Sequence, residues 1–201
     1  MQREFEVVTA DALQPDLEAD LLFIATACKS RRVRYWLNQT RELRVPYVVL
    51  TPDMRFPATF PLTNVLAPVT MLEEEVHKAE LLSHLARYTD TRITLLTAND
   101  YGSRAQTNTN KICSFLHARE EALGKTFQIE VKTAQKGSMS LYRELTDRNR
   151  NYCPDLIVQT ASRDYGLDDL LFGPVESKLI LRSPVPVALL NPRGDLFSLC
   201  D

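Results

Sequence analysis

No apolar run in this sequence approaches the roughly 20 residues needed to cross a bilayer, so no membrane span is expected. Cysteine is sparse and unpatterned. Cys28, Cys113, Cys153 and Cys200 form no CxxC pair, and their spacing fits neither a zinc site nor a disulfide framework. They read as thiols of a reducing cytosol, and Met1 to Glu6 carries no apolar signal core, so a cytoplasmic setting is expected. Glycine is scarce at six residues, and none builds a GxxxxGKS/T phosphate loop or a GxSxG elbow. Nor is there an HExxH metal motif. His77 and His84 lie near one side of a helix without acidic ligands beside them, so they read as surface residues and no metal is expected. The net charge of −2 gives no basic footprint, which argues against a nucleic-acid partner. The most basic stretch, Lys29, Arg31, Arg32 and Arg34, reads as a solvated helix start.

What is present is an ordinary globular composition, 44% apolar and 25% charged over 201 residues. That length suits one full domain plus a piece of another. A repeat says how the chain is divided. Ala19-Asp20-Leu21-Leu22-Phe23-Ile24 opens one copy and Val45-Pro46-Tyr47-Val48-Val49-Leu50-Thr51-Pro52 closes it. Pro154-Asp155-Leu156-Ile157-Val158 opens the second, and Val185-Pro186-Val187-Ala188-Leu189-Leu190-Asn191-Pro192 closes it. Each reads as buried strand, loop, helix and buried strand. The first copy is shorter, and the shortage falls in the loop after its opening strand, where an open α/β sheet places a ligand. The expected division is a partial unit over 1–52, a Pro/Phe linker over 53–62, a complete domain over 63–192 and a polar tail over 193–201.

Strands are predicted at Phe5–Thr9, Leu21–Thr26, Tyr47–Leu50, Val65–Val69, Ile93–Thr97, Phe127–Val131, Leu156–Gln159 and Val185–Leu190. Helices are predicted between them. Arg31–Leu43 carries Val33, Trp36, Leu37 and Thr40 at helical spacing, and Pro46 stops it. Leu72, Val76, Ala79, Leu82, Leu85 and Ala86 make a stripe on a second helix. A third, Arg104–Leu123, turns Ile112, Phe115, Leu116, Ala122 and Leu123 inward and ends at Gly124. A fourth runs from Gly137-Ser138 to about Arg150, capped by Ser138 or Ser140, and a fifth holds Val175 to Leu181. Strands alternating with helices mean a mostly parallel, doubly wound sheet.

Three loops meet at the C-terminal edge of such a sheet. They follow Val69, Thr97 and Gln159, and they offer Thr70, then Asp100 and Tyr101, then Thr160, Ser162, Arg163, Asp164 and Tyr165. Asp-Tyr-Gly occurs in both longer loops. It reads first as turn chemistry, with Asp accepting backbone N–H groups and Gly taking positive φ, and second as a pair of tyrosine walls for a cleft. Gly173, Pro174 and Val175 open the last helix. A helix N-terminus binds phosphate through free N–H groups, but Pro174 removes one donor and brings no hydroxyl.

These residues resemble a universal stress protein. The resemblance covers Asn64 to Pro192 and reaches back through Ala19 to Pro52. It rests on Val65-Leu66-Ala67-Pro68-Val69, on Pro154-Asp155-Leu156-Ile157-Val158, on Gly166-Leu167 with Leu170-Leu171-Phe172-Gly173 and Val175, and on Ser183-Pro184-Val185-Pro186-Val187. Asn191-Pro192-Arg193-Gly194-Asp195-Leu196 is similar to tandem, Bacteroidetes-type members. The family implies a five-stranded sheet of the adenine nucleotide alpha hydrolase-like kind, strand order 3-2-1-4-5, here with an N-terminal partial repeat of the same fold. Many members bind ATP between strands 1 and 4, with an aspartate after strand 1 and a G-x-x-G, nine residues, G-S/T motif. Here Thr70 stands for the aspartate, Thr160 and Arg163 for the first two glycines, and Pro174 for the Ser/Thr; Gly173 alone matches. Arg163 cannot offer the bare amide that phosphate needs, although its guanidinium can reach phosphate from another angle.

The resemblance therefore implies a non-enzymatic stress-response regulator or scaffold with a degenerate ATP site and no cofactor. The alternative is a sensor of ATP or AMP that uses Arg163, Asp164 and Tyr165 in place of glycines. An enzyme reading has no nucleophile–base set behind it. Family members pair their fifth strands across a two-fold axis, so a homodimer is expected, either by Tyr47–Leu50 against Val185–Leu190 or through an open sheet edge. The same two strands can also pair inside one molecule.

Overall fold

The computed structural model describes residues 21–43, 45–55, 62–147, 152–161 and 174–191. In chain order the elements are β1 (Leu22–Ala25), α1 (Ser30–Gln39), β2 (Tyr47–Leu50), β3 (Asn64–Val69), α2 (Lys78–Tyr88) and β4 (Arg92–Thr97). Then come α3 (Arg104–Leu123), β5 (Gln128–Thr133), α4 (Leu141–Leu145), β6 (Leu156–Thr160), α5 (Val175–Arg182) and β7 (Val187–Leu190). Short 3-10 turns, Glu73–His77 and Ser138–Ser140, lead into α2 and α4.

All of the described strands belong to one seven-stranded sheet in the order β1-β2-β7-β6-β3-β4-β5. Neighbours run parallel except at one seam, where β2 meets β7 antiparallel with Tyr47 opposite Leu189, Val48 opposite Ala188 and Val49 opposite Val187. So β1 and β2 extend the sheet past β7 and do not form a sheet of their own. The pairing of Tyr47–Leu50 with the last strand takes place within a single chain.

The apolar runs fall where burial demands them. β6 and β7 are buried at every position and β3 at all but its first, as expected of strands covered on both faces. β5 lies at one edge, and its Gln128, Val131 and Thr133 are exposed. One face of the sheet carries α1, α4 and α5 over a core that includes Val33, Leu37, Leu141, Leu145, Leu179 and Ile180. The other carries α2 and α3 over Ala79, Leu82, Ile112 and Leu116. Each fully buried Leu or Ile here contributes about 1.5–3 kcal/mol.

Two polar fastenings fix the chain ends of these layers. The Asp155 carboxylate, just before β6, accepts the Thr63 N–H and hydroxyl at 2.7 Å each and the Asn64 N–H at 3.0 Å. Partial burial opposes its ionisation, but these bonds outweigh burial and hold the carboxyl below its ordinary range. After β7, the Asn191 amide donates to the carbonyls of Thr40 and Leu43 at 2.8 and 2.7 Å, closing the end of α1.

Several sequence expectations need correction. Ala122 and Leu123 are exposed, because α3 runs past the end of its apolar contacts at Leu116. The helix expected over 137–150 is a 3-10 turn followed by only Leu141–Leu145, and neither Ser138 nor Ser140 caps it with its side chain. Leu72 is exposed, and the stripe it was to open begins at Glu75 instead. The strand predicted at Phe5–Thr9, the linker core 56–61 and the tail beyond Asn191 lie outside the described residues.

Candidate functional site at the strand ends

β3 and β6 lie side by side and parallel, yet their chains leave for opposite faces, β3 toward α2 and β6 toward α5. That is a topological switch point, where a doubly wound sheet opens a crevice beyond its strand ends. The ladder between them spans only Val65–Leu156 and Leu66–Ile157, whereas β3 pairs with β4 over six residues. Pro68 follows, and it has no N–H to carry a ladder onward.

The β3 side of this crevice is filled from within. Thr70 is 8% exposed, and its hydroxyl donates to Glu75 Oε1 at 2.7 Å. Glu75 and Lys78 are both 0% exposed and form an ion pair. The Lys78 ammonium also donates to the Pro68 carbonyl. Burial pushes the Lys78 ammonium toward deprotonation, and the adjacent Glu75 charge pulls the other way. From α3, the Asn108 amide donates to the carbonyls of Thr70 and Leu72 at 2.9 and 2.7 Å. The polar groups that β3 presents at its end are therefore bonded to each other.

The second loop, after β4, is clasped to the exit of β5. Asp100 accepts the Ser138 N–H at 2.8 Å and also the Ser138 hydroxyl. Ser138 Oγ in turn accepts the Met71 N–H at 3.1 Å, so one hydroxyl joins the exits of β3, β4 and β5. The approach is close enough to require glycine next door. A Cβ on Gly137 would stand 2.8 Å from Asp100 Oδ1 and 3.3 Å from the Asn99 carbonyl. Gly102 takes φ +108°, so the first Asp-Tyr-Gly works as turn chemistry, and Tyr101 is fully exposed.

On the β6 side, Thr160 is 4% exposed, and its hydroxyl has no hydrogen-bond partner among the described residues. Pro174 is buried at the N-cap of α5, and no side chain caps that end. Val175 packs against the core. Ser162, Arg163, Asp164, Tyr165 and Gly173 lie outside the described residues. Thr70 and Thr160 thus end the two strands that flank the crevice, while Asp100 stands one strand further along.

Sequence reasoning missed Glu75, Lys78, Asn108 and Ser138. Helical phase carried the signal for the first and third: Glu75 continues the row Ala79, Leu82, Ala86, and Asn108 stands in the row Ala105, Ile112, Leu116. Elsewhere, His77 and His84 are half-buried on the α2 layer, and no group of three metal-ligating side chains occurs among the described residues. Cys28 donates to the Leu181 carbonyl at 3.8 Å, and burial, with Asp53 beside it, pushes its thiol up.

No protein-family model matches the chain, and no curated protein matches it either. Solved structures do share its architecture, a mostly parallel α/β sheet of the universal stress protein type. It is similar to a universal stress protein solved in complex with cAMP, at 17% identity and a TM-score of 0.50, over 66% of this chain and 98% of that one. It is similar to a universal stress protein from Archaeoglobus fulgidus DSM 4304, at 15% identity and a TM-score of 0.59, over 86% of this chain and 62% of that one. A functionally unknown protein from Pseudomonas aeruginosa PAO1 matches at 13% identity and a TM-score of 0.50, over 87% of this chain and 64% of that one. At these identities the likeness is one of fold, and this chain spans under two thirds of the two longer neighbours. No helix among the described residues is long and apolar enough to cross a membrane.

Proposed function

We propose that this protein is a non-enzymatic regulator or scaffold of the universal stress type, acting in the cytoplasm, whose nucleotide cleft has degenerated. β3, β4, β5, β6 and β7 stand for the family's strands 1 to 5, and β1–α1–β2 is a worn tandem copy of β6–α5–β7, of the Bacteroidetes type. One observation carries the reading. Where the family places a free aspartate, this chain has Thr70, and the carboxylate beside it, Glu75, is already neutralised by the buried Lys78. Neither charge is available to a triphosphate or its metal. Pro174 at the start of α5 removes one of the N–H donors that would cradle phosphate. With β7 occupied within the chain, a homodimer would use an outer edge of the sheet as the described residues form it, at β1 or β5.

A second reading has its own support. The Thr160 hydroxyl is buried and has no hydrogen-bond partner among the described residues, and a neighbour of this fold was solved with cAMP. A sensor of ATP, AMP or cAMP would use that hydroxyl together with the loop from Ser162 to Gly173. Calorimetric titration of the full chain with ATP, AMP and cAMP separates the two. The degenerate cleft predicts no saturable heat with any of them. A submicromolar dissociation constant for one would overturn it in favour of the sensor.

A further inference from the structure

The proposed cleft leaves one strongly charged surface unused. α1, α5 and α4 pack side by side on one face of the sheet. They carry Arg31, Arg32, Arg34, Arg143, Lys178 and Arg182. The carboxylates on these helices are Glu144 and Glu176, 3% and 2% exposed, so neither reaches the surface. Glu144 is also committed inward, accepting the Gln135 and Lys136 N–H groups at 2.8 and 3.0 Å and the Tyr152 hydroxyl at 2.9 Å. None of the six cations forms an ion pair with a described residue. The net charge of −2 is a sum over all 201 residues and does not describe this face.

Three of the cations converge. The head groups of Arg143, Lys178 and Arg182 lie 5.8, 5.9 and 5.8 Å from the centre of the Tyr142 ring. Arg143 Nε donates to the Tyr142 hydroxyl at 3.1 Å. Like charges gathered around one ring repel, and a bound anion relieves that repulsion. On α1, Arg34 Nε is buried without a hydrogen-bond partner among the described residues. Beside it Tyr35 is 50% exposed, with its ring edge-on to Trp36 at 5.4 Å.

We propose that this helical face binds single-stranded nucleic acid along its phosphodiester backbone. Five of the six cations are arginines, whose planar forks match phosphate oxygens in pairs. Tyr35 supplies an exposed plane on which a base stacks. An anionic membrane is disfavoured, since Tyr35 is the one exposed large apolar side chain on these three helices. An acidic peptide would use the charge but not the ring. None of the six cations is among the residues that meet at the strand ends, so this surface and the proposed cleft are tested separately.

The test is fluorescence anisotropy of the full chain with a labelled oligouridylate across a salt series. Binding is expected to weaken with salt at a log–log slope of about −0.7 per phosphate contacted. The triple variant Arg143→Gln/Lys178→Gln/Arg182→Gln should lose at least about tenfold in affinity and flatten the slope by about 2. Arg104→Ala/Lys111→Ala on α3, across the sheet, should change neither. Tyr35→Ala should lower affinity for the oligonucleotide while leaving binding to polyglutamate unchanged. Circular dichroism checks that each variant is folded, and if the triple variant is not, Arg143→Gln/Arg182→Gln replaces it. The proposal is overturned by no binding at low salt, by equal or tighter binding of polyglutamate or phosphatidylserine vesicles, or by a folded variant that binds as the parent does.

Discussion

Replacing Lys78 by methionine tests whether the crevice is filled by an internal ion pair. Methionine keeps most of the length and apolar stem and removes the charge. In the parent, neither Lys78 nor Glu75 has any exposed surface. In Lys78→Met the Glu75 carboxylate stays buried, with the Thr70 hydroxyl at 2.7 Å as its remaining donor in this network. The Pro68 carbonyl also loses the ammonium. Removing one partner of a buried pair costs about 3–5 kcal/mol. For a chain of this size each kcal/mol moves the melting temperature by about 2–4 °C, so a fall on the order of 10 °C is expected. Taking out both charges in Glu75→Leu/Lys78→Met should restore most of that loss, because no uncompensated charge is left behind. Urea unfolding of the parent, both single variants and the double variant gives the coupling directly. It should be at least about 2 kcal/mol, as for groups in one network. A cost under about 1 kcal/mol for Lys78→Met, or simple additivity, would mean that the two side chains do not share a buried site.

Two further substitutions probe the fastenings. Asp155 is held ionised by its bonds to Thr63 and Asn64, so its stabilising share is present above the unfolded value of about 3.9 and fades as pH falls through the lower folded value. Asp155→Ala should cost about 1 kcal/mol near neutrality, a value kept small because the carboxylate is partly solvated, and less as pH falls below the usual carboxylate range. Urea midpoints at both extremes check this; a cost independent of pH would rule out the charge as its source. Gly137 has φ −74°, so alanine meets no backbone objection there. Its Cβ would nonetheless press within 2.8 Å of Asp100 Oδ1, and Gly137→Ala should cost about 1–3 kcal/mol and speed amide exchange at Ser138 and Met71. Unchanged exchange at both amides would show that the exits of β3, β4 and β5 are not joined through Ser138.

The layered sheet was legible because its central strands are unbroken apolar runs. Leu66, Leu95, Ile157 and Leu189 sit in strands covered on both faces, and runs this short, rich in β-branched residues, favour a strand over a buried helix. The far end of α3 was misread for a geometric reason. Twenty helical residues extend about 30 Å, while a six-residue strand extends about 20 Å, so Ala122 and Leu123 pass beyond the sheet they were expected to cover. The crevice was hardest to read. Glu75 and Lys78 look like two more charges in Glu-Glu-Glu-Val-His-Lys, and periodicity weighs a charged residue against burial. Burial here depends on a partner one turn away and a carbonyl from β3, and a local pattern records neither. The basic face was hidden because its arginines lie on helices separated by more than a hundred residues of sequence and meet only once α1 packs on α5.

The antiparallel seam between β2 and β7 gives one half of a two-partner contact a permanent leash. Contacts made between separate molecules loosen on dilution, whereas a tethered strand meets its mate at a local concentration of about millimolar, set by the length of the connection. That junction should therefore survive however scarce the protein becomes, and its melting should ignore how much of the protein is in the tube.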